Sequence, residues 1–325
     1  MKPFRLIAAL SLACAAPALA NDSTAELTAG GLVLRQSEHI DMLEEDLYLS
    51  ADEIRVNYVF RNASDRDVTT IVAFPLPELD LSYDGDWSYP HDFETRVEGE
   101  PVPMSVETRA FVGDRDVTDL LTARNIVLMP GEDWNAYNAS LEGMSAEDAA
   151  ALEAQGVIDV SRWEDNGTSH RYVRPIWTVR QSYYWEQTFP AGEELRIAHR
   201  YAPSVGGTAG SALAYSGFRE SEWGQEMIAE YCMDEDFLVG AQNMLGRSEY
   251  GGLSESTFGY VLTTGANWRS PIGRFRLVVD KGSTDAIVSF CGSGLRRIAP
   301  TQFEMVRENF RPERDLRVIL LAPLG

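Results

Sequence analysis

The chain has 325 residues, and its 28 Lys and Arg face 50 Asp and Glu, a formal net charge of −22. A surface this negative repels nucleic-acid phosphates and anionic membrane faces, so no nucleic acid is expected as a partner. The length suffices for a large core and lies near the size at which chains divide into domains.

Met1, Lys2 and Arg5 precede the apolar run from Leu6 to Ala13, and Ala18-Leu19-Ala20 stands before Asn21-Asp22. That layout predicts a secretory signal peptide over 1–20, cut after Ala20. The apolar run is short for a span, and Ser11-Leu12-Ala13-Cys14 is a poor acceptor context for a lipid, so no integral membrane segment is expected after leader removal. The mature chain would keep 305 residues, with 26 basic against 50 acidic side chains, a balance of −24. Its expected destination is periplasmic or secreted, in a bacterium. Cys232 and Cys291 survive the cut, and two cysteines in an oxidising compartment predict one disulfide. No Cys-x-x-Cys spacing suggests redox work.

Leu32-Val33-Leu34 and Leu47-Tyr48-Leu49 read as early strands. In Ile54 to Arg61, Ile54, Val56, Tyr58 and Phe60 alternate with polar residues, as a half-buried strand requires. Asn62-Ala63-Ser64-Asp65 supplies a turn before Val68 to Phe74, so the two segments are expected as neighbouring antiparallel strands. Phe93 to Val97 and Met104 to Thr108 continue the pattern. Ser145 can cap a short helix that Gly156 closes, inside a loop-and-helix excursion around 114–171. Strand grammar resumes from Tyr172 to Phe189, and Pro190 to Glu194 turn into the alternating strand Leu195 to Tyr201. After Gly207 to Gly210, two short helices are expected, the second capped by Asp234 and stopped by Gly246. Phe258 to Leu262, Arg274 to Asp280, Ala286 to Cys291 and Arg317 to Leu321 complete the strands.

Short strands punctuated by Gly and Pro predict a mainly β fold, an antiparallel β-sandwich architecture with a few short helices. Two β-rich domains are expected: 21–207, a sandwich carrying the excursion, and 208–325, α+β or β-rich. The alternative is a loop near Gly207, with the last strands returning to the first domain.

Gly30-Gly31-Leu32, Asp46 to Ser50, Val56 to Asn62, Phe74-Pro75-Leu76-Pro77-Glu78, Thr263 to Trp268, Phe275 to Gly282 and Ser289 to Gly292 carry a resemblance over nearly all the mature chain. Together they resemble the secreted bacterial domain-of-unknown-function family numbered 4424. The resemblance implies a periplasmic or secreted β-rich protein and supplies no catalytic labels. The order of an early strand pair, an irregular middle and the Pro190 turn is more weakly similar to the vault and inter-alpha-trypsin domain, which implies a scaffold or recognition module.

The four histidines His39, His91, His170 and His199 lack metalloenzyme spacing, so no metal site and no cofactor is expected. Ser293 lies in Gly292-Ser293-Gly294, which departs from a nucleophile elbow. Glu44-Glu45-Asp46 and Asp234-Glu235-Asp236 read as solvated charge clusters. Asp80, Asp84 and Asp86 around Gly85 depart from calcium-loop spacing and read as a polar turn. Trp177, Tyr183 and Trp185 are candidates for an aromatic platform, with sandwich packing as the plainer role. His199 with Tyr201 at a strand end, and Asn267-Trp268 beside Gly265, are further ligand candidates. The expected function is a noncatalytic envelope-associated binding, scaffold or assembly module whose partner is an envelope protein or glycan. Its rival is a periplasmic hydrolase acting on glycans through dispersed carboxylates.

Overall fold

The computed structural model describes residues 21–28, 31–82, 86–87, 90–131, 133–248 and 252–324. The leader, Asp84 and Gly85 lie outside the described residues. The fold is mainly β, with several sheets and a few short helices. None of the described helices is long and apolar enough to cross a membrane.

An eight-stranded sheet runs in the order Arg296–Arg297, Gln302–Phe310, Ile272–Asp280, Ile40–Leu49, Ile54–Asn62, Glu194–Ala202, His91–Val97, Glu100–Pro101. A seven-stranded sheet orders Arg115–Asp116, Ser105–Val112, Thr178–Phe189, Val68–Pro75, Ser23–Thr28 and Gly31–Arg35, with Leu79–Asp80 beside Thr178–Phe189. A five-stranded sheet holds Ile287–Phe290, Leu316–Pro323, Leu253–Tyr260, Gly206–Thr208 and Asp86–Trp87. Strands from all three sheets send side chains into one core, among them Leu47, Tyr58, Phe60, Phe74, Trp185, Tyr260, Trp268 and Val318. The alternation read in 54–60 is the observed burial pattern, with Ile54, Val56, Tyr58 and Phe60 inside and Arg55 and Asn57 outside.

One expectation about neighbours needs correction. The segments 54–61 and 68–74 do not pair. The first lies between Ile40–Leu49 and Glu194–Ala202, the second between Ser23–Thr28 and Thr178–Phe189. The chain changes sheets at Asn62, whose fully buried side chain donates to the carbonyls of Arg66 and Phe189 and so fixes the crossing. Ile272–Asp280 returns late in the chain to pair with Ile40–Leu49. That pairing is parallel, which requires a long return connection rather than a hairpin. At Gly273 a Cβ would stand 2.5 Å from the carbonyl oxygen of Leu43, so only glycine permits this approach.

The 114–171 excursion has a core of its own, made by Leu121, Tyr137, Leu141, Leu152, Ile158, Val173 and Trp177. Ser145 caps the helix Ala146–Ala154 by accepting from the amide of Asp148. The excursion ends in a hairpin absent from the sequence reading, Ile158–Asp165 paired with Thr168–Pro175. Its turn is Asn166-Gly167, with φ of 49° and 78°. A third core packs the helices Glu222–Glu230 and Glu235–Leu245 on the five-stranded sheet through Phe237, Leu238, Ala241, Ile319 and Leu321. The disulfide Cys232–Cys291 ties the loop between these helices to the end of strand Ile287–Phe290.

Candidate functional site

The most unusual chemistry lies inside the main core, where a cluster of polar groups surrounds the segment Asn21-Asp22-Ser23. All three residues are fully buried, and Ser23 starts the strand that pairs with Val68–Pro75. Glu45 meets them from the eight-stranded sheet and is itself 0% exposed. This corrects the reading of Glu44-Glu45-Asp46 as a solvated cluster. The ladder between Ile40–Leu49 and Ile54–Asn62 shifts register between Met42 and Glu44. The extra residue changes the phase of the alternation, so Met42 is followed inward by Glu45, Leu47 and Leu49.

Asn21 donates through Nδ2 to Glu45 Oε2 at 3.0 Å, and its Oδ1 accepts from the Tyr58 hydroxyl at 2.5 Å. Tyr58 and Tyr260 share a hydroxyl hydrogen bond of 2.7 Å, and Tyr260 reaches Glu45 Oε1 at 3.5 Å. Asp22 Oδ1 lies 3.0 Å from His199 Nε2, while His199 Nδ1 lies 2.9 Å from Thr95 Oγ1. The Trp268 indole donates to the Asp22 carbonyl at 2.7 Å, and Asn267 donates to Ser23 Oγ at 3.0 Å. Among the described residues, the buried side-chain atoms without a hydrogen-bond partner are Asp22 Oδ2, Thr264 Oγ1 and Tyr201 Oη.

Burial pushes the Glu45 carboxyl up to about 8, although the Asn21 amide opposes the rise. Burial also pushes Asp22 up, against the pull of His199. The tyrosines Tyr58 and Tyr260 are raised by the same cause. Burial in a dry site disfavours the ionised form of each carboxyl, and a cation beside them would favour it.

The structure brings most of the ligand candidates together, but inward. Tyr183 stacks on Phe93 at 4.0 Å between centroids, and Tyr201 packs against the same ring at 5.1 Å. Trp185 stands edge-on to His199 at 5.6 Å. Trp185, His199, Tyr201 and Trp268 are buried, while Tyr183 is partly buried. Trp177 stands apart in the excursion core, its indole donating to the Leu128 carbonyl at 2.7 Å. Asp80 accepts from the amide of Ser82 in an exposed turn. Ser293 accepts from the Arg307 guanidinium. Among the described residues, no group of three or more His, Cys, Asp or Glu side chains is placed to hold a metal ion.

A different aromatic group faces solvent. On the outer face of the 158–175 hairpin, Trp163 pairs with His170 and Ser161 with Tyr172. The Trp163 and His170 rings stack at 5.5 Å and 15°. Trp163 is 49% and Tyr172 46% exposed. The opposite face is held down by Arg162 on Glu153 at 2.8 Å and by Arg171 on the carbonyls of Glu142 and Met144, both at 2.7 Å. Sequence reading missed this face because it treated the hairpin as loop, although Asn166-Gly167 is the strongest short-range hairpin signal.

These features define a multi-sheet, mainly β protein with a sealed polar core and an outward aromatic ribbon. The chain belongs to a family described as a domain of unknown function, DUF4424, which matches residues 20–319. It is also similar to a solved structure described as that of a candidate nutrient binding protein from Legionella pneumophila subsp. pneumophila strain Philadelphia 1. The two share 17% identity with a TM-score of 0.45, over 88% of this chain and 68% of that one. No curated protein matches the chain.

Proposed function

We propose that this chain is a noncatalytic, exported, envelope-associated binding module whose recognition surface is the Trp163, His170 and Tyr172 face of the hairpin. The observation that carries this reading is the contrast in exposure. Trp177, Trp185, His199, Tyr201 and Trp268 are buried in packing, whereas Trp163 and Tyr172 are each about half exposed on a ribbon braced from behind. Flat exposed rings accept the apolar face of a sugar ring, and the Asp159–Arg174 pair at the foot of the same face, 2.8 Å apart, offers polar partners beside them. The strong negative charge disfavours anionic polymers, so the ligand class is a neutral saccharide.

The test is calorimetric titration of the mature protein with a panel of neutral oligosaccharides, alongside Trp163→Ala and Tyr172→Ala. Binding by the wild type, weakened about tenfold or more in each variant, is the expected result for an aromatic anchor. Absence of binding, or variants that bind as well as wild type, would overturn the reading.

A further inference from the structure

The buried cluster contains two carboxyl groups, Asp22 and Glu45, and among the described residues the imidazole of His199 is the one basic side chain hydrogen-bonded to either. The other groups bonded into it are neutral: Asn21, Tyr58, Tyr260 and Thr95. Tyr201 and Thr264 stand near with unpartnered hydroxyls, and Asp22 Oδ2 is an unpartnered acceptor. The Arg269–Asp41 pair is the nearest charged pair in sequence to Trp268, and its guanidinium is already engaged by Asp41. Ionising both carboxyls in this enclosure needs a cation beside them.

The sequence places the cut of the leader between Ala20 and Asn21, immediately before the first of three fully buried residues. Cleavage there hydrolyses the Ala20–Asn21 peptide bond, consuming one water and leaving a carboxylate on the leader and a primary amine on Asn21. That amine takes up a proton near neutral pH. Asn21 is buried, and its side-chain Nδ2 already lies 3.0 Å from Glu45.

We propose that the Glu45 and Asp22 carboxylates form a buried ammonium site whose ligand is the α-ammonium group of Asn21, created by removal of the leader. The uncut chain has an uncharged amide at this position and leaves the site without its cation. Processing therefore supplies the charge that lets Glu45 ionise inside the core. Gly265 accommodates the arrangement, since a Cβ there would stand 2.8 Å from Asn21 Nδ2.

Amine labelling tests this cleanly, because Lys2 and Lys281 are the only lysines and Lys2 leaves with the leader. The exported protein is reductively methylated folded and in urea, and the peptides of residues 21 and 281 are quantified by mass. Asn21 should label on the order of 100-fold slower folded than unfolded, as for a group exposed only by local opening. Raising pH in the native protein should show the Asn21 amine titrating above its ordinary value of about 8. Glu45→Gln should lower that titration and speed Asn21 labelling, with Lys281 unchanged. If the Gln variant does not fold, the wild-type titration still decides. An exported chain that does not begin at Asn21, equal labelling of Asn21 folded and unfolded, or a native titration at or below about 8 would each refute the proposal.

Discussion

Replacing Cys232 and Cys291 together by Ser isolates one term of this protein's stability. The bridge spans a sequence separation of 59. In the chain-entropy description, freeing a loop of that length returns roughly 4 kcal/mol of conformational entropy to the unfolded state. The native neighbourhood does not depend on the bond alone. Ser289 Oγ donates to the carbonyl of Tyr231 at 2.9 Å, and Phe237, Leu238 and Ala241 bury against Ile319 and Leu321. The folded variant should therefore keep its helices, and the loss should come from the unfolded ensemble. Cys232 has a φ of 50°, a strained conformation that Ser also retains, so the double substitution adds no new backbone cost. Urea unfolding followed by circular dichroism is the assay. The expected result is a fall of about 4 kcal/mol together with a steeper dependence on urea, because an uncrosslinked chain exposes more surface. A loss under about 1 kcal/mol, or native spectra lacking the helical signal, would refute the argument.

In a leader-retaining chain, made by Ala18→Arg with Ala20→Arg, stability should fall as pH rises. Glu45 holds its proton up to about 8 in the fold but only to the ordinary 4.5 when unfolded, so the native state binds the extra proton between those values. The loss across that window is roughly 5 kcal/mol, and Asp22, raised in the same sense, adds to it; urea titrations at pH 5 and pH 8 that coincide would contradict this. Trp268→Phe removes the donor to the buried Asp22 carbonyl and leaves a gap beside Phe60, so it should cost about 3 kcal/mol by urea unfolding; a change below about 1 would show that the site relaxes. Gly273→Ala forces a methyl to 2.5 Å from the Leu43 carbonyl and should lower stability by about 2 kcal/mol or more, with a neutral outcome showing that the parallel pairing can widen.

Local features of the fold were legible along the chain. The alternation in Ile54 to Phe60, the caps Ser145 and Asp234, and the pairing of Cys232 with Cys291 each depend on a few residues or on the compartment. The hairpin turn Asn166-Gly167 was equally local and was passed over inside a region read as loop. Strand Gln302–Phe310 escaped because its apolar pattern is interrupted by charges, among them Glu304, which accepts from Arg276 and Arg296. The candidate aromatics Trp185, Tyr201 and Trp268 lie in one core and Trp177 in another, and residue type does not say whether a ring faces a ligand or a neighbouring ring.

By itself the sequence determined the dry face of Ile54 to Phe60, the helix caps at Ser145 and Asp234, and the strong negative charge, because these follow from adjacent side chains and backbone preferences. Tertiary structure decided which strands pair, that Ile272–Asp280 returns to lie parallel beside Ile40–Leu49, and that Glu45 points inward. The reason is that pairing and bulges are settled by contacts between distant segments. A single extra residue between Met42 and Glu44 reverses the phase of every side chain after it, and that displacement turned an apparently solvated carboxylate into the centre of a buried polar core.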